Sequence, residues 1–338
     1  MKIIGISMGD PAGIGPEIVV KALMNKSVYD RCKPILAGNA KIIEKAVKQL
    51  NNSCKVHPVK EVSQALFQYG TIDVYETCSM DHDPEYGIVS PDAGDAAFQS
   101  VRKLIGLAKN KLVDATVTAP INKEAMHLAG HYFSGHTEIY AHYTDTKKYA
   151  MLLVHENLRV IHVTTHVSLR EACDLVKKDR ILEVTELLHN ACAALGISKP
   201  KIGVAGLNPH SSDNGLFGWE EEREIIPAIR EGLQRGYYLE GPVPSDTMFA
   251  KAIGGQYDGC VAMYHDQGHI PFKLTGFKWN EQKKRMDVNG VNITLGLPII
   301  RVSVDHGTAF DLAGKGIASE QALLLSIDYA VRMAETSS

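Results

Sequence analysis

The chain has 338 residues, 45% of them hydrophobic and 22% charged. That length and balance fit two domains or one large α/β domain with a substantial core, and they exclude a disordered or fibrous chain. The formal net charge of −3 leaves no basic excess for nucleic acid or an anionic membrane, so any anionic ligand must be held by local positive charge.

Short Val/Ile-rich runs alternate with amphipathic ones along the chain. Strands are expected at Ile3–Ser7, Pro34–Ala37, Thr71–Tyr75, Ala115–Thr118, Ala150–Val154, Val160–Thr164, Ile202–Ala205, Gly259–Tyr264 and Ile299–Val304. Helical patterns cover Pro16–Met24, Lys41–Leu50, Asp92–Ala108, Lys123–Leu128, Leu169–Leu195, Glu220–Arg235 and Glu320–Ala334. This alternation, with strands apolar on both faces, predicts α/β layers around a mostly parallel sheet. No Pro/Gly/Ser linker separates two domains, so either they are intimately joined or the chain re-enters the first; the division expected is residues 1–125 plus 270–338 as one domain and 126–269 as the other. The polar segment Lys278–Gly290 ends in Asn-Gly and reads as a surface loop or hairpin. The cysteines at 32, 54, 78, 173, 192 and 260 form no C-x-x-C pair and read as reduced thiols of a cytoplasmic protein. Neither a signal h-region nor a stretch long enough for a membrane span is visible.

Several residues stand out chemically. Gly9, Gly13 and Gly15 precede a helix opened by Pro16; the spacing is not the dinucleotide fingerprint, and a tight turn explains it as well as an anion cradle does. His166, His210 and His265 each follow a strand, where ligands of α/β sheets gather, and are candidates for one divalent-metal site or for three separate structural histidines. His136 and Thr137 follow Gly135 at a helix start, either a phosphate or carboxylate cradle or an ordinary cap. Lys273, Asn292 and Arg301 are polar exceptions in apolar runs, and Lys123 is a weaker case. Of these, Arg301 is the strongest candidate for anion binding.

Taken together, the segments GDPAGIGPE, TAPINKEA, SGHTE, THVSLR, GLNPH, AMYHDQGH, GVNITLGLP and VDHGTAFDLAGKG resemble the motif set of the 4-hydroxythreonine-4-phosphate dehydrogenase family. That family includes D-threonate and D-erythronate 4-phosphate dehydrogenases and a terephthalate dihydrodiol dehydrogenase branch. The stretch HGTAFDLAGKGIAS is also similar to the cofactor loop of isocitrate and isopropylmalate dehydrogenases. The resemblance implies two α/β/α domains of that fold, with an active site in the inter-domain cleft at the interface of a homodimer that shares its active sites. It implies metal ligands at His166, His210 and His265, and substrate contacts at His136, Thr137, Lys273, Asn292 and Arg301. NAD or NADP would be held by the loop at His306, Gly307, Thr308 and Ala309, and the divalent ion would be Zn, Mn, Co, Ni or Mg.

The chemistry implied is oxidation of the C3 alcohol of a 4-phosphorylated four-carbon hydroxy acid, followed by β-decarboxylation. Lys273 would serve as proton shuttle, with Asp266 and Asp246 orienting histidines. The amino-acid substrate belongs to pyridoxal phosphate synthesis; the alternative is D-threonate or D-erythronate 4-phosphate giving dihydroxyacetone phosphate. The segment Lys278–Gly290 departs from the family's shorter connection and bears on substrate choice. Two other classes share parts of the pattern: a metal-dependent hydrolase, and a phosphosugar-binding module that keeps the anion site without the metal.

Overall fold

The computed structural model describes residues 1–80, 82–281 and 285–336, without the side chains of 285–287. The strands are β1 (Ile3–Ser7), β2 (Lys33–Gly38), β3 (Lys55–Val59), β4 (Thr71–Glu76), β5 (Ala115–Thr118), β6 (Ala150–His155) and β7 (Leu158–His162). They continue with β8 (Lys201–Ala205), β9 (Tyr238–Val243), β10 (Gly259–Ala262), β11 (Phe277–Asn280), β12 (Arg285–Val288), β13 (Val291–Leu295) and β14 (Arg301–Val304). The chain forms two compact units, residues 1–147 with 297–338, and residues 148–296. It leaves the first unit after residue 147 and returns to it at 297. The helix His136–Tyr143 stays in the first unit because Ile139 and Tyr140 pack with Phe98, Val101 and Met126. The second unit keeps the chain to 296 because β13 pairs with β6.

In the first unit the strand order is β3-β4-β2-β1-β5-β14, every pair parallel. Ile4, Ile6, Val117 and Val302 are fully buried, as parallel strands covered by helices on both faces require. The helix Pro91–Lys109 starts where Ser90 accepts from the Ala93 amide and Pro91 supplies a preset φ. All strands point the same way, so the loops after β1, β5 and β14 share the carboxyl edge, where α/β sheets bind ligands.

In the second unit the order is β13-β6-β7-β10-β8-β9, with β13-β6-β7 antiparallel and the remaining pairs parallel. Strands β7, β10 and β8 are adjacent, so the segments after them, which carry His166, His265 and His210, leave the same edge. The helix His265–Gly276 contains Gly268 and Pro271, both poor helix formers, and packing holds it in place. Phe272 is fully buried among Leu153, Val160 and Ala262. A Cβ on Gly268 would fall 2.3 Å from His162 Nε2 and 2.7 Å from Val160 Cγ1, so only glycine lets this helix approach β7. Gly268→Ala is therefore expected to cost about 1–3 kcal/mol, read as a lowered denaturant midpoint; an unchanged midpoint would mean the approach is looser than described.

β11 and β12 pair antiparallel, so a hairpin forms within Lys278–Gly290 as anticipated, while residues 282–284 lie outside the described residues. All six cysteines are free. Among the described residues, no helix is long and apolar enough to cross a membrane.

Candidate active site

The first unit builds an anion site from β5, β14 and one helix. Arg301 opens β14 opposite Thr116 of β5, and Thr116 and Thr118, two apart, share one face of their strand. The Arg301 side chain follows that face, donating from Nη2 to Thr118 Oγ1 at 3.0 Å. Its guanidinium carbon lies 5.7 Å from the centre of the Tyr140 ring, whose hydroxyl donates to Thr116 Oγ1 at 3.0 Å. Arg301 is 2% exposed; burial pulls its pKa down to about 10, which still leaves it a cation. The helix His136–Tyr143 begins beside it with no side-chain cap at Gly135. His136 Nε2 is shielded from solvent and has no hydrogen-bond partner among the described residues. Burial, then the charges of Arg301 and Lys123, hold the His136 imidazole well below its ordinary pKa, so it is neutral. A cation with a planar fork, an unused imidazole nitrogen and a helix N-terminus together suit a phosphate. Thr137 sits half-buried in the first turn of the same helix.

The loops at the carboxyl edge of this unit interlock. Ile14 donates its amide to Thr308 O at 3.0 Å. Glu17, 4% exposed, accepts from the amides of Gly316 and Ala318 at 3.1 and 2.7 Å and from Lys21 Nζ at 2.8 Å. Lys21 in turn donates to the carbonyls of the same two residues. This i, i+4 pair fixes the segment after His306–Ala309. Gly307 is exposed, and a Cβ there would meet nothing within 4 Å, so the backbone presents an open ledge of the kind a nicotinamide cofactor could lie on. Asp10, in the loop after β1, accepts from the Ala12 amide at 2.8 Å, and burial raises its pKa to about 6.

The second unit carries a row of histidines. His265, His269 and Lys273 are four residues apart on one helix and so lie along one face. The rings of His265 and His269 stack with centres 3.7 Å apart and planes 11° apart, and His269 Nδ1 donates to His265 O at 3.0 Å. Behind them, fully buried His162 lies with its ring centre 4.7 Å from that of His269. Burial, then the neighbouring histidines, lowers His162 to about 3 and His269 to about 4, so both are neutral. In front, the His166 ring centre is 5.9 Å from that of His265. Two imidazoles bound to one ion through bonds of about 2.1 Å place their centres roughly 5–6 Å apart, so this pair fits a shared divalent metal. His265 Nδ1 donates to Asp266 Oδ1 at 2.7 Å, which leaves Nε2 for a ligand bond, as in carboxylate–histidine–metal arrangements. Both histidines and Asp266 line a cavity of about 580 Å³ with Ser168 and Tyr264.

Within one chain, His210 lies apart from His166 and His265: among the described residues, no three His, Cys, Asp or Glu side chains come together as a metal-binding group. It is exposed, on a turn beyond β8, with its ring centre 6.4 Å from that of Phe217. Lys273 is not a cation inside an apolar strand. The run IPFKL is helical, Phe272 takes the core position, and Lys273 is exposed with Nζ 5.4 Å from the Phe277 ring centre. Asp246, exposed in the first turn of the helix Ser245–Ile253, makes no hydrogen bond to a histidine among the described residues. Asn292 lies on β13, paired in register with Leu153.

Gln267 escaped the sequence reading. Its buried side chain accepts from the Met263 amide at 2.6 Å and donates to Gly206 O at 2.8 Å and Ser245 Oγ at 3.0 Å. It thereby ties together the segments leaving β10, β8 and β9. An amide in the first turn of a helix that follows a buried strand was the available signal.

The turn bearing His210 is backbone-strained. His210, Ser211, Ser212, Asp213 and Asn214 all have φ between 45° and 67°, a region that costs an L-residue about 1–2 kcal/mol. Ser211 also buries a hydroxyl oxygen that has no partner among the described residues. Ser211→Gly is expected to stabilise the protein by about 1 kcal/mol, measured as a denaturation midpoint; a loss of stability would mean the hydroxyl is satisfied in solution.

The comparisons agree with this architecture. A crystal structure of a β-decarboxylating dehydrogenase from Thermococcus kodakarensis shares the fold at 12% identity, with a TM-score of 0.52 over 97% of this chain and 83% of that one. The family model described as pyridoxal phosphate biosynthetic protein PdxA matches residues 30–330. The chain belongs to that family, and with relatives of 42–44% identity named as dehydrogenases it is an oxidoreductase acting on a CH–OH group. It is 44% identical to D-threonate 4-phosphate dehydrogenase of Cupriavidus necator, over 99% of this chain and 98% of that protein. It is 42% identical to a crystal structure of 4-hydroxythreonine-4-phosphate dehydrogenase from Klebsiella pneumoniae, with a TM-score of 0.85 and coverage of 99% and 100%.

Proposed function

We propose that the protein oxidises C3 of a 4-phosphorylated four-carbon sugar acid, of the D-threonate or D-erythronate 4-phosphate type, and releases dihydroxyacetone phosphate and carbon dioxide. The observations that support the reading are a buried phosphate-type site in the first unit (Arg301, His136, Thr137) and, in the second, a histidine pair backed by a carboxylate (His166, His265, Asp266). A phosphorylated hydroxy acid needs both: one for its terminal dianion, the other for its carboxylate and alcohol. The sugar-acid choice follows the name carried by the Cupriavidus necator relative. The name of the Klebsiella pneumoniae structure supports a second reading, oxidation of 4-phosphooxy-L-threonine to 3-amino-2-oxopropyl phosphate.

In this reading His166 and His265 would hold a divalent ion, Zn, Mn, Co, Ni or Mg, and His306–Ala309 would hold NAD or NADP. Those groups would supply Lewis acidity and an acceptor for the hydride. The protein's own residues do the rest. Arg301 and His136 grip the phosphate and fix the position of C3, and Asn292 contributes a polar contact. Asp266 fixes the tautomer of His265. Lys273, one helical turn beyond His269, moves protons: one leaves the C3 hydroxyl as the hydride departs, and one returns to C2 once the C1–C2 bond has broken.

His210, the third ligand that the family resemblance implies, would come from a second copy of the chain in a homodimer that shares its active sites. In one chain, this exposed imidazole lies near Phe217, and Leu216, Phe217 and Trp219 of the same segment are exposed apolar side chains suited to a homodimer contact. The cytoplasm, where the six thiols stay reduced, is the compartment we assign.

The test is NADH formation by metal-loaded protein on D-threonate 4-phosphate, D-erythronate 4-phosphate and 4-phosphooxy-L-threonine, compared as kcat/KM. A preference for a sugar acid supports the first reading, and a preference for the amino acid supports the second. Reduction of NAD by none of the three would overturn both.

A further inference from the structure

We propose that Glu221, a buried carboxylate outside the ligand set, is the residue that holds the strained His210 turn in the shape a metal requires. The inference rests on His210 being a metal ligand. Glu221 has no exposed surface, yet it lies at the start of a helical segment (Glu221–Ile225) rich in charge. Both of its oxygens are used. Oε1 accepts from the backbone amides of Leu207 and Asn208, each at 2.7 Å, and Oε2 accepts from Asn208 Nδ2 at 2.8 Å. Asn208 Nδ2 also donates to Glu220 Oε2 at 2.7 Å. The cover over Asn208 is tight: Gly218 has φ +150°, and a Cβ there would fall 2.4 Å from Asn208 Nδ2.

Asn208 is the last residue before Pro209 and the left-handed run from His210 to Asn214. At the far end of that run the bonds are local: Ser212 Oγ accepts from the Gly215 amide at 3.1 Å, and Ser212 O accepts from the Phe217 amide at 3.1 Å. Five L-residues at positive φ do not hold that conformation unaided, so the turn depends on how firmly its entry is anchored. A carboxylate suits the anchor better than an amide does. Two short N–H donors converge on one oxygen, which an anion stabilises, and the second oxygen faces a further donor. Glutamine would turn one acceptor into an NH2 aimed at Asn208 Nδ2, donor against donor. Since Glu221 is enclosed and fully bonded, it acts through His210 and is a positioning residue.

The experiment is Co²⁺ titration of the full-length protein, followed calorimetrically and by the visible spectrum of the bound ion, on wild type, Glu221→Gln, Asn208→Ser and His210→Ala. Oligomeric state is checked for each. Glu221→Gln is expected to weaken Co²⁺ binding about 10–100-fold and to alter the spectrum of the bound ion while the oligomer persists. His210→Ala should weaken binding further, and Asn208→Ser, which removes one of the three anchoring bonds, less. If His210→Ala loses Co²⁺ but Glu221→Gln binds within twofold of wild type with the same spectrum, the role given to Glu221 is wrong while the metal reading stands. If His210→Ala binds normally, the metal reading of His210 has failed instead. Should Glu221→Gln not fold, Asn208→Ser decides alone: unchanged affinity and spectrum overturn the proposal.

Discussion

Arg301→Met is expected to lower kcat/KM on a 4-phosphorylated sugar acid by roughly 10²–10³-fold, equivalent to about 3–4 kcal/mol, with the fold retained. Methionine fills most of the space of the arginine stem, so packing among Thr116, Thr118 and Tyr140 persists while the charge and the planar fork are lost. The loss is large because the guanidinium is almost wholly buried, and a phosphate brought there would face a desolvated pocket with one cation fewer. Lysine keeps the charge but not the fork, so Arg301→Lys should recover only part of the loss. Inorganic phosphate as a competitive inhibitor reads the same site without chemistry, and its inhibition constant should rise in parallel. A kcat/KM within threefold of wild type for Arg301→Met would remove Arg301 from the substrate site. His136 works beside it in the opposite charge state. Burial and two cations keep it neutral when the site holds no anion, and an arriving dianion reverses that field and favours the protonated ring.

The second large effect is expected at His265. His265→Ala should reduce divalent-metal affinity by more than about 10³-fold and bring NADH formation to background, because half of the in-chain pair that fits one ion is lost. Asp266→Asn should be milder, about 10–100-fold in metal affinity, since it leaves the ring in place and weakens only the bond that fixes its tautomer. This graded series separates a metal site from a packing defect. A packing defect would lower thermal stability in both variants and leave metal affinity unordered. Equal metal affinity in wild type and His265→Ala would end the assignment.

Much of the fold could be read before any coordinates, because parallel strands buried on both faces write themselves as continuous Val/Ile runs. Ile3–Ser7 and Ala115–Thr118 are strands with those bounds. The strands not foreseen are polar for identifiable reasons. β3 and β9 are terminal in their order, with exposed Lys55, Pro58, Tyr238 and Glu240. β13 was obscured by Asn292 and by its antiparallel partner β6. The helix His265–Gly276 was hidden by Gly268 and Pro271, since it exists through tertiary packing that local propensity opposes. The pattern Leu169–Leu195 divides into Leu169–Leu175 and Lys178–Ala194, where the Lys178 amide donates to Glu224 Oε2 at 2.9 Å across a gap of 46 residues.

At the site, position after a strand end pointed to His166 and His265, whose rings the fold brings near each other, but spacing carries no information on which of three such histidines converge. His269 and His162 stayed out of sight because each reads as one more core residue until the helix face and the strand bring the rings together. Glu17, Glu221 and Gln267 are the acid and amide anchors of the functional loops. Each bonds backbone far away in sequence, which no local pattern records.

The most direct test of the central claim is the fate of C1. D-Threonate 4-phosphate labelled with ¹³C at C1, turned over by metal-loaded protein with NAD, should release one ¹³CO2 per NADH and leave unlabelled dihydroxyacetone phosphate. NADH accompanied by a stable labelled keto acid, or label retained in the phosphorylated product, would contradict an oxidation at C3 followed by loss of the carboxylate.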